Sequence, residues 1–299
     1  MADLVVLGDS VMWGQGLRDE HKSATLAAQG LGNLQPVIIA HSGAVIGRAA
    51  TCSPGSQKGE MPESCPSILG QIATYQGDPS KVPVVLLDGG INDIDIRTIL
   101  NPSTDPKDLS SDIQQYCYKD MGYLLTQVKA RFSQAATKIV VTSYFPIITS
   151  ASRFDFVPPV LEMLGAPLPR LIGADPLGLG NPIADRVIGL CLQFWRESTL
   201  ALQKAVNDVN IGTGPRCCFA NVPFTENNSV FAPQAWLYGV GPAPDFAAQD
   251  EVVAQRRPQC DFTFANDWLA REQCYRASAG HPNSTGAQQF AQAILNALR

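Results

Sequence analysis

Histidine is scarce in this chain of 299 residues: His21, His41 and His281 are all it has. None of the eight cysteines falls in a C-x-x-C pair. A zinc site therefore has little support, and no metal or other cofactor is expected. Charge is sparse too, at 16% of residues with a formal net charge of −5 and no Lys/Arg cluster. That balance argues against a nucleic-acid partner. No apolar run is long enough to span a bilayer, so no integral membrane segment is expected. No phosphate-cradling G-x-G-x-x-G or P-loop supports a flavodoxin-like nucleotide binder. No period of 20–50 residues points to a solenoid or propeller.

What is present is ordinary for a globular protein: 45% hydrophobic residues, enough for a sizeable core. No charge run or Gly/Ser tract divides the chain. One domain over residues 1–299 is expected, with insertions at about 146–182 and 221–280. The even number of cysteines fits disulfides. Cys52–Cys65 and Cys260–Cys274 are the local pairings expected, because each brackets a Pro-rich or polar loop. Few free thiols are then anticipated, in a secreted or extracytoplasmic protein. No signal peptide precedes the first strand, which begins three residues after Met1, so such a location implies a leader absent from this chain.

Short apolar runs alternate with helix-compatible stretches. Leu4–Leu7, Pro36–Ala40, Val82–Leu87, Lys138–Thr142 and Cys217–Ala220 read as strands. Residues 23–31, 67–76, 112–132, 183–210 and 284–298 read as helices. The clearest is Asp112–Phe132, where Ile113, Cys117, Met121, Leu124 and Val128 share one face. Strands separated by helices imply parallel crossovers and a sheet covered on both faces. Residues 146–182 and 221–280 read as irregular, Pro-bearing insertions. Val157, Val160, Leu161, Met163 and Leu164 of the first could line an acyl-chain pocket or simply cap the core.

The strand ends carry the chemistry. "LVVLGDSVMWGQG" runs from buried apolar residues into Gly8-Asp9-Ser10. The second strand runs into "HSGAVIG" (41–47) and the third into "DGGINDI" (88–94). In an open parallel sheet, ligands bind outside the carboxyl ends of the strands. Three strands thus deliver Gly with Ser or Asn to one edge. A serine there suits acyl transfer, provided that a base removes its proton and that donors face the developing oxyanion. Ser10 N–H, Gly43 N–H and the Asn92 amide could be those donors. His281, in the Gly-His-Pro-Asn turn before the last helix, supplies the base. His21 sits in a charged "RDEHK" run and reads as surface, whereas His41 could be packed or could support the site.

With these four stations in place, the sequence resembles the SGNH/GDSL hydrolases. The blocks are Gly8-Asp9-Ser10, Ser42-Gly43-Ala44, Gly90-Ile91-Asn92-Asp93 and His281-Pro282-Asn283 with Gly286, in family order over residues 8–286. The resemblance implies a flavodoxin-like three-layer α/β/α fold with a five-stranded parallel sheet. It implies hydrolysis of carboxylic esters, of esterase or lipase type, through an acyl-enzyme on a small-molecule ester or lipid. By it, Ser10 is the nucleophile, His281 the base, and Ser10, Gly43 and Asn92 form the oxyanion hole; Gly47 is the alternative block-two glycine. One departure stands out: the family places aspartate three residues before the histidine, and here that residue is Ser278. His281 then works as a dyad held by a carbonyl or hydroxyl, or an acid arrives from elsewhere, with Asp261 and Asp267 nearest in sequence. An inactive descendant, a carbohydrate- or lipid-binding module, an acyltransferase and a carbohydrate deacetylase remain as alternatives on the same scaffold.

Overall fold

The computed structural model describes residues 2–47, 59–153, 182–212, 214–241 and 247–299. Five strands, β1 (Asp3–Val6), β2 (Gln35–Ile38), β3 (Val84–Leu87), β4 (Lys138–Thr142) and β5 (Cys217–Ala220), form one sheet in the order β2-β1-β3-β4-β5. Every neighbouring pair is parallel, with Leu4 opposite Val84 and Val85 opposite Ile139. All four residues of β3 are buried. That is why the central strands read as unbroken apolar runs with no alternation: both faces of the sheet are covered.

Two groups of helices flank it. Ser23–Gly30 packs on the last helix, Ser284–Ala297. Ile68–Thr74, Met121–Arg131 and Pro182–Asn210 pack against one another as the second group. The order places the β1-to-β2 crossover in one direction and those from β2 through β3 and β4 to β5 in the other, so with the general right-handedness of parallel crossovers the two groups lie on opposite faces. The three-layer α/β/α expectation holds, with the flavodoxin strand order. The point where strand order reverses lies between β1 and β3, at whose ends Ser10 and Asn92 stand.

The structure departs from the sequence reading in three places. The helix expected from Asp112 starts earlier, at Pro106, where Asp105 caps it by accepting from Lys107 N–H at 2.8 Å. It then passes through a π-helical stretch, Gln114–Asp120, before regaining α geometry. Residues 221–280 are not irregular throughout: they contain helices Val253–Thr263 and Trp268–Tyr275, joined by the disulfide Cys260–Cys274. Pro258 inside the first of these disguised it. The third concerns thiols. Cys65 is disulfide-bonded and its expected partner Cys52 lies outside the described residues, but Cys117, Cys191, Cys217 and Cys218 are free. The first three are buried, where cysteine behaves as a small hydrophobe. Val157, Val160, Leu161, Met163 and Leu164 also lie outside the described residues.

Candidate active site

The turn after β1 is held from below by two carboxylates. Asp9 caps a single helical turn, Ser10–Trp13, accepting from Val11 N–H at 2.9 Å, and Tyr144 donates its hydroxyl to Asp9 Oδ2 at 2.7 Å. Asp88, at the end of β3, accepts from Asp9 N–H at 2.8 Å and from Met12 N–H at 3.1 Å. Gly8 lets the two strand ends approach: its φ is +137°, and a Cβ there would overlap Asp88 Oδ1. Burial raises the pKa of both Asp9 and Asp88, and the Asp9 charge pushes Asp88 further up. Neither carboxylate bonds the Ser10 hydroxyl; both fix the backbone beneath it.

Ser10 thus begins a one-turn helix, and its hydroxyl lies 2.7 Å from His281 Nε2 across 271 positions of sequence. The His281 turn is pinned by its own backbone. His281 N–H donates to Ser278 O at 2.9 Å, Tyr238 N–H donates to His281 O at 2.7 Å, and Leu237 bridges Pro282. Asn283 then caps the last helix, accepting from Gly286 N–H at 3.0 Å. His281 Nδ1 is buried with no hydrogen-bond partner of good geometry. Burial pushes the His281 pKa down to about 4, the Arg256 charge adds to the fall, and the carbonyls of Ser278, Ala279 and Ala277 oppose it.

Asn92 lies on the short helix Ile91–Ile94, and its amide donates to Ala44 O at 2.9 Å. Its neighbour Asp93 accepts from Ile46 N–H at 3.0 Å, so the third block fastens the loop of the second. Burial, with the charges of Asp120 and Asp9, pushes the Asp93 pKa up to about 6. Gly43 adopts φ +80° against the backbone of Pro62 and Glu63. The N–H groups of Ser10 and Gly43 make no hydrogen bond among the described residues. Gly47 packs against Ser67.

Ser10, Asn92 and His281 open onto one cavity of about 130 Å³, walled by Ile96, Leu100, Phe145, Ile147, Ile148 and Val230. Arg276 contributes to its lining and pairs with Glu272 at 2.6 Å; Gly43 is not part of that wall. A larger cleft of about 420 Å³ lies around Trp13, Glu60 and Arg256 and is not lined by Ser10. The remaining histidines serve elsewhere. His21 pairs with Glu251 at 2.8 Å on the surface, and both ring nitrogens of the buried His41 face carbonyls, of Ser42 and Pro66.

Neither acid nearest in sequence reaches His281. Asp261 bonds the Tyr275 hydroxyl, and Asp267 caps the helix Trp268–Tyr275. The residues that sequence reasoning missed are Asp88, under the Ser10 turn, and Asp250, which accepts from the Ser278 hydroxyl at 2.5 Å. Asp88 was signalled only by its place before Gly89-Gly90; Asp250, 28 positions before Ser278 in a polar loop, carried no signal.

No protein-family model matches the chain, and no curated protein matches it. It is similar to solved structures of a carbohydrate acetylesterase, Est24 from Sinorhizobium meliloti (11% identity, 100% of this chain and 98% of that one, TM-score 0.45). It is similar also to the lipase Lip_vut3 from a goat rumen metagenome (11%, 99% and 97%, 0.44) and to a carbohydrate esterase (13%, 99% and 68%, 0.45). The parallel five-stranded sheet and its order are those expected from the sequence, and Ser10 and His281 meet at its carboxyl edge. Identity this low leaves the chemistry to be read from Ser10, His281 and their surroundings.

Proposed function

We propose that the chain is a serine hydrolase of short-acyl carboxylic esters. The observation that carries this is the 2.7 Å contact between Ser10 Oγ and His281 Nε2 at the mouth of an apolar cavity. His281 is held neutral, with its proton on Nδ1 toward the turn's carbonyls and its Nε2 lone pair toward Ser10. Nε2 takes the hydroxyl proton as Oγ attacks the ester carbonyl carbon. The oxyanion so formed meets the unused N–H groups of Ser10 and Gly43 and the second N–H of the Asn92 amide. Collapse expels the alcohol, which leaves with the proton from Nε2. A water molecule then repeats the sequence on the acyl-Ser10 ester, releasing the acid and restoring Ser10.

The cavity sets the acyl size. About 130 Å³ is close to the ~150 Å³ that accommodates a benzene ring, so acyl groups of about four to six carbons fill it. A disulfide between two surface helices suits an oxidising, extracytoplasmic setting. The test is a panel of chromogenic acyl esters of graded chain length together with acetylated sugars. Turnover should peak among the short acyl esters, and Ser10→Ala should lower kcat on the order of 10⁴–10⁶-fold with the fold intact. Absence of turnover on every ester, or a tenth of wild-type turnover surviving in Ser10→Ala, would overturn the reading.

A further inference from the structure

The carboxylate absent from position 278 has a buried network in its place. The Ser278 side chain is fully buried, and its hydroxyl donates to Asp250 Oδ2. Asp250 pairs with Arg256, and both side chains are 0% exposed. The same guanidinium donates from Nη2 to Tyr275 O at 3.1 Å and from Nη1 to Glu60 Oε2 at 2.7 Å. Glu60 in turn accepts from Trp13 Nε1 at 2.7 Å, from Gln15 Nε2 at 2.8 Å and from Gly16 N–H at 3.2 Å. These last three residues end the turn that Ser10 begins. One arginine therefore ties the exit of the Ser10 turn to the entry of the His281 turn.

Stability alone does not account for it. Burying such ions costs several kcal/mol each, and apolar residues of the same volume would often serve the core as well or better. The network touches the chain on both sides of the reactive pair, and its link to the histidine turn is the residue where an acid was expected. Resting on the ester-hydrolase reading, we propose that Asp250 and Arg256 are positioning residues. Through the Ser278 hydroxyl and the Tyr275 carbonyl they hold the His281 turn against Ser10, while Arg256 cancels the charge that Asp250 would otherwise offer the imidazole. The Ser10 hydroxyl meets the ring at Nε2, and Arg276, paired with Glu272, lines the same cavity.

The experiment follows the His281 ring by NMR titration in the full chain, its signal identified by its loss in His281→Gln. kcat and KM are measured in parallel on an ester that the wild type cleaves. Asp250→Asn keeps shape but unbalances Arg256, so the ring pKa should fall by roughly half a unit. kcat should fall roughly tenfold with KM unchanged, as for a misplaced base. Ser278→Ala should lower kcat likewise, and Arg256→Met should move the ring pKa upward. If Arg256→Met does not fold, the two milder variants decide. Folded Asp250→Asn and Ser278→Ala proteins with wild-type titration and wild-type kcat would overturn the proposal, whatever their melting temperatures. The titration does not need activity: a protein that cleaves no ester defeats the hydrolase reading, while the ring shift still decides this one.

Discussion

A histidine that must be neutral to act gains from being enclosed. Burial brings the His281 pKa down to about 4, so the base is unprotonated across most of the accessible range. kcat/KM should rise with pH through one apparent pKa near that value, well below the ordinary histidine figure of about 6.5, and then stay flat through neutrality. A pH–rate profile checks this; an apparent pKa above about 7 would require a carboxylate at Nδ1. That Ser10, His281 and Asn92 would meet at one site was legible because each sits where an apolar strand or an amphipathic helix meets Gly, Pro or Asn. Their supports were not. Asp88 acts on backbone N–H groups and Asp250 acts through another side chain's hydroxyl, and neither arrangement leaves a spacing in the sequence.

At the scale of elements, two loops are fastened by groups that titrate in opposite senses. Asp93, which holds the block-two loop at Ile46, has its folded pKa raised from 3.8 to about 6. The folded state therefore binds that proton more tightly, and its contribution is fully present below about 3.8 and lost as pH rises through 6. His281 runs the other way. Its folded pKa of about 4 lies below the ordinary 6.5, so it contributes stability above 6.5 that is lost as pH falls through 4. Each effect is on the order of 3 kcal/mol, and over pH 4–6 the two oppose each other. Urea unfolding at pH 4 and pH 7 separates the two against the wild-type background, to which the buried Asp9 and Asp88 also contribute. Relative to the wild type, Asp93→Asn should lose stability at pH 4 compared with pH 7, and His281→Gln should do the reverse. Unchanged pH slopes in both variants would contradict the assignment. Strand placement could be read from apolar runs alone, and Lys138–Thr142 coincides with its expected limits. The helix Val253–Thr263 could not, because Pro258 and a polar composition mask a segment whose place is fixed by Arg256 and a disulfide.

For the whole molecule, the cysteines divide into two populations. Thiol titration under denaturing, non-reducing conditions should find at least four reactive groups, from Cys117, Cys191, Cys217 and Cys218. In the folded protein only the half-buried Cys218 of that set should react quickly, since burial pushes the other three thiols up to about 11 or higher. Equal rates for all four in the folded state would contradict their burial. A parallel sheet covered on both faces followed from the alternation of strands and helices, and the Cys260–Cys274 pairing from the loop it brackets, whereas nothing in the spacing marked the four free thiols.

The separation between Ser10 and His281 also orders events in time. The serine turn follows the first strand, whereas the histidine turn arrives 271 positions later, just ahead of the helix that packs on Ser23–Gly30. During synthesis from the N-terminus, the complete central sheet can exist before the base has been made. On the proposed mechanism a nascent chain is chemically silent however well its sheet has folded, and reactivity waits until the last contacts close around His281. Long-range closure of this kind is slow to form. Under the proposed function, hydrolytic competence then reports on completed folding, rather than being a hazard to the compartment in which the chain is assembled.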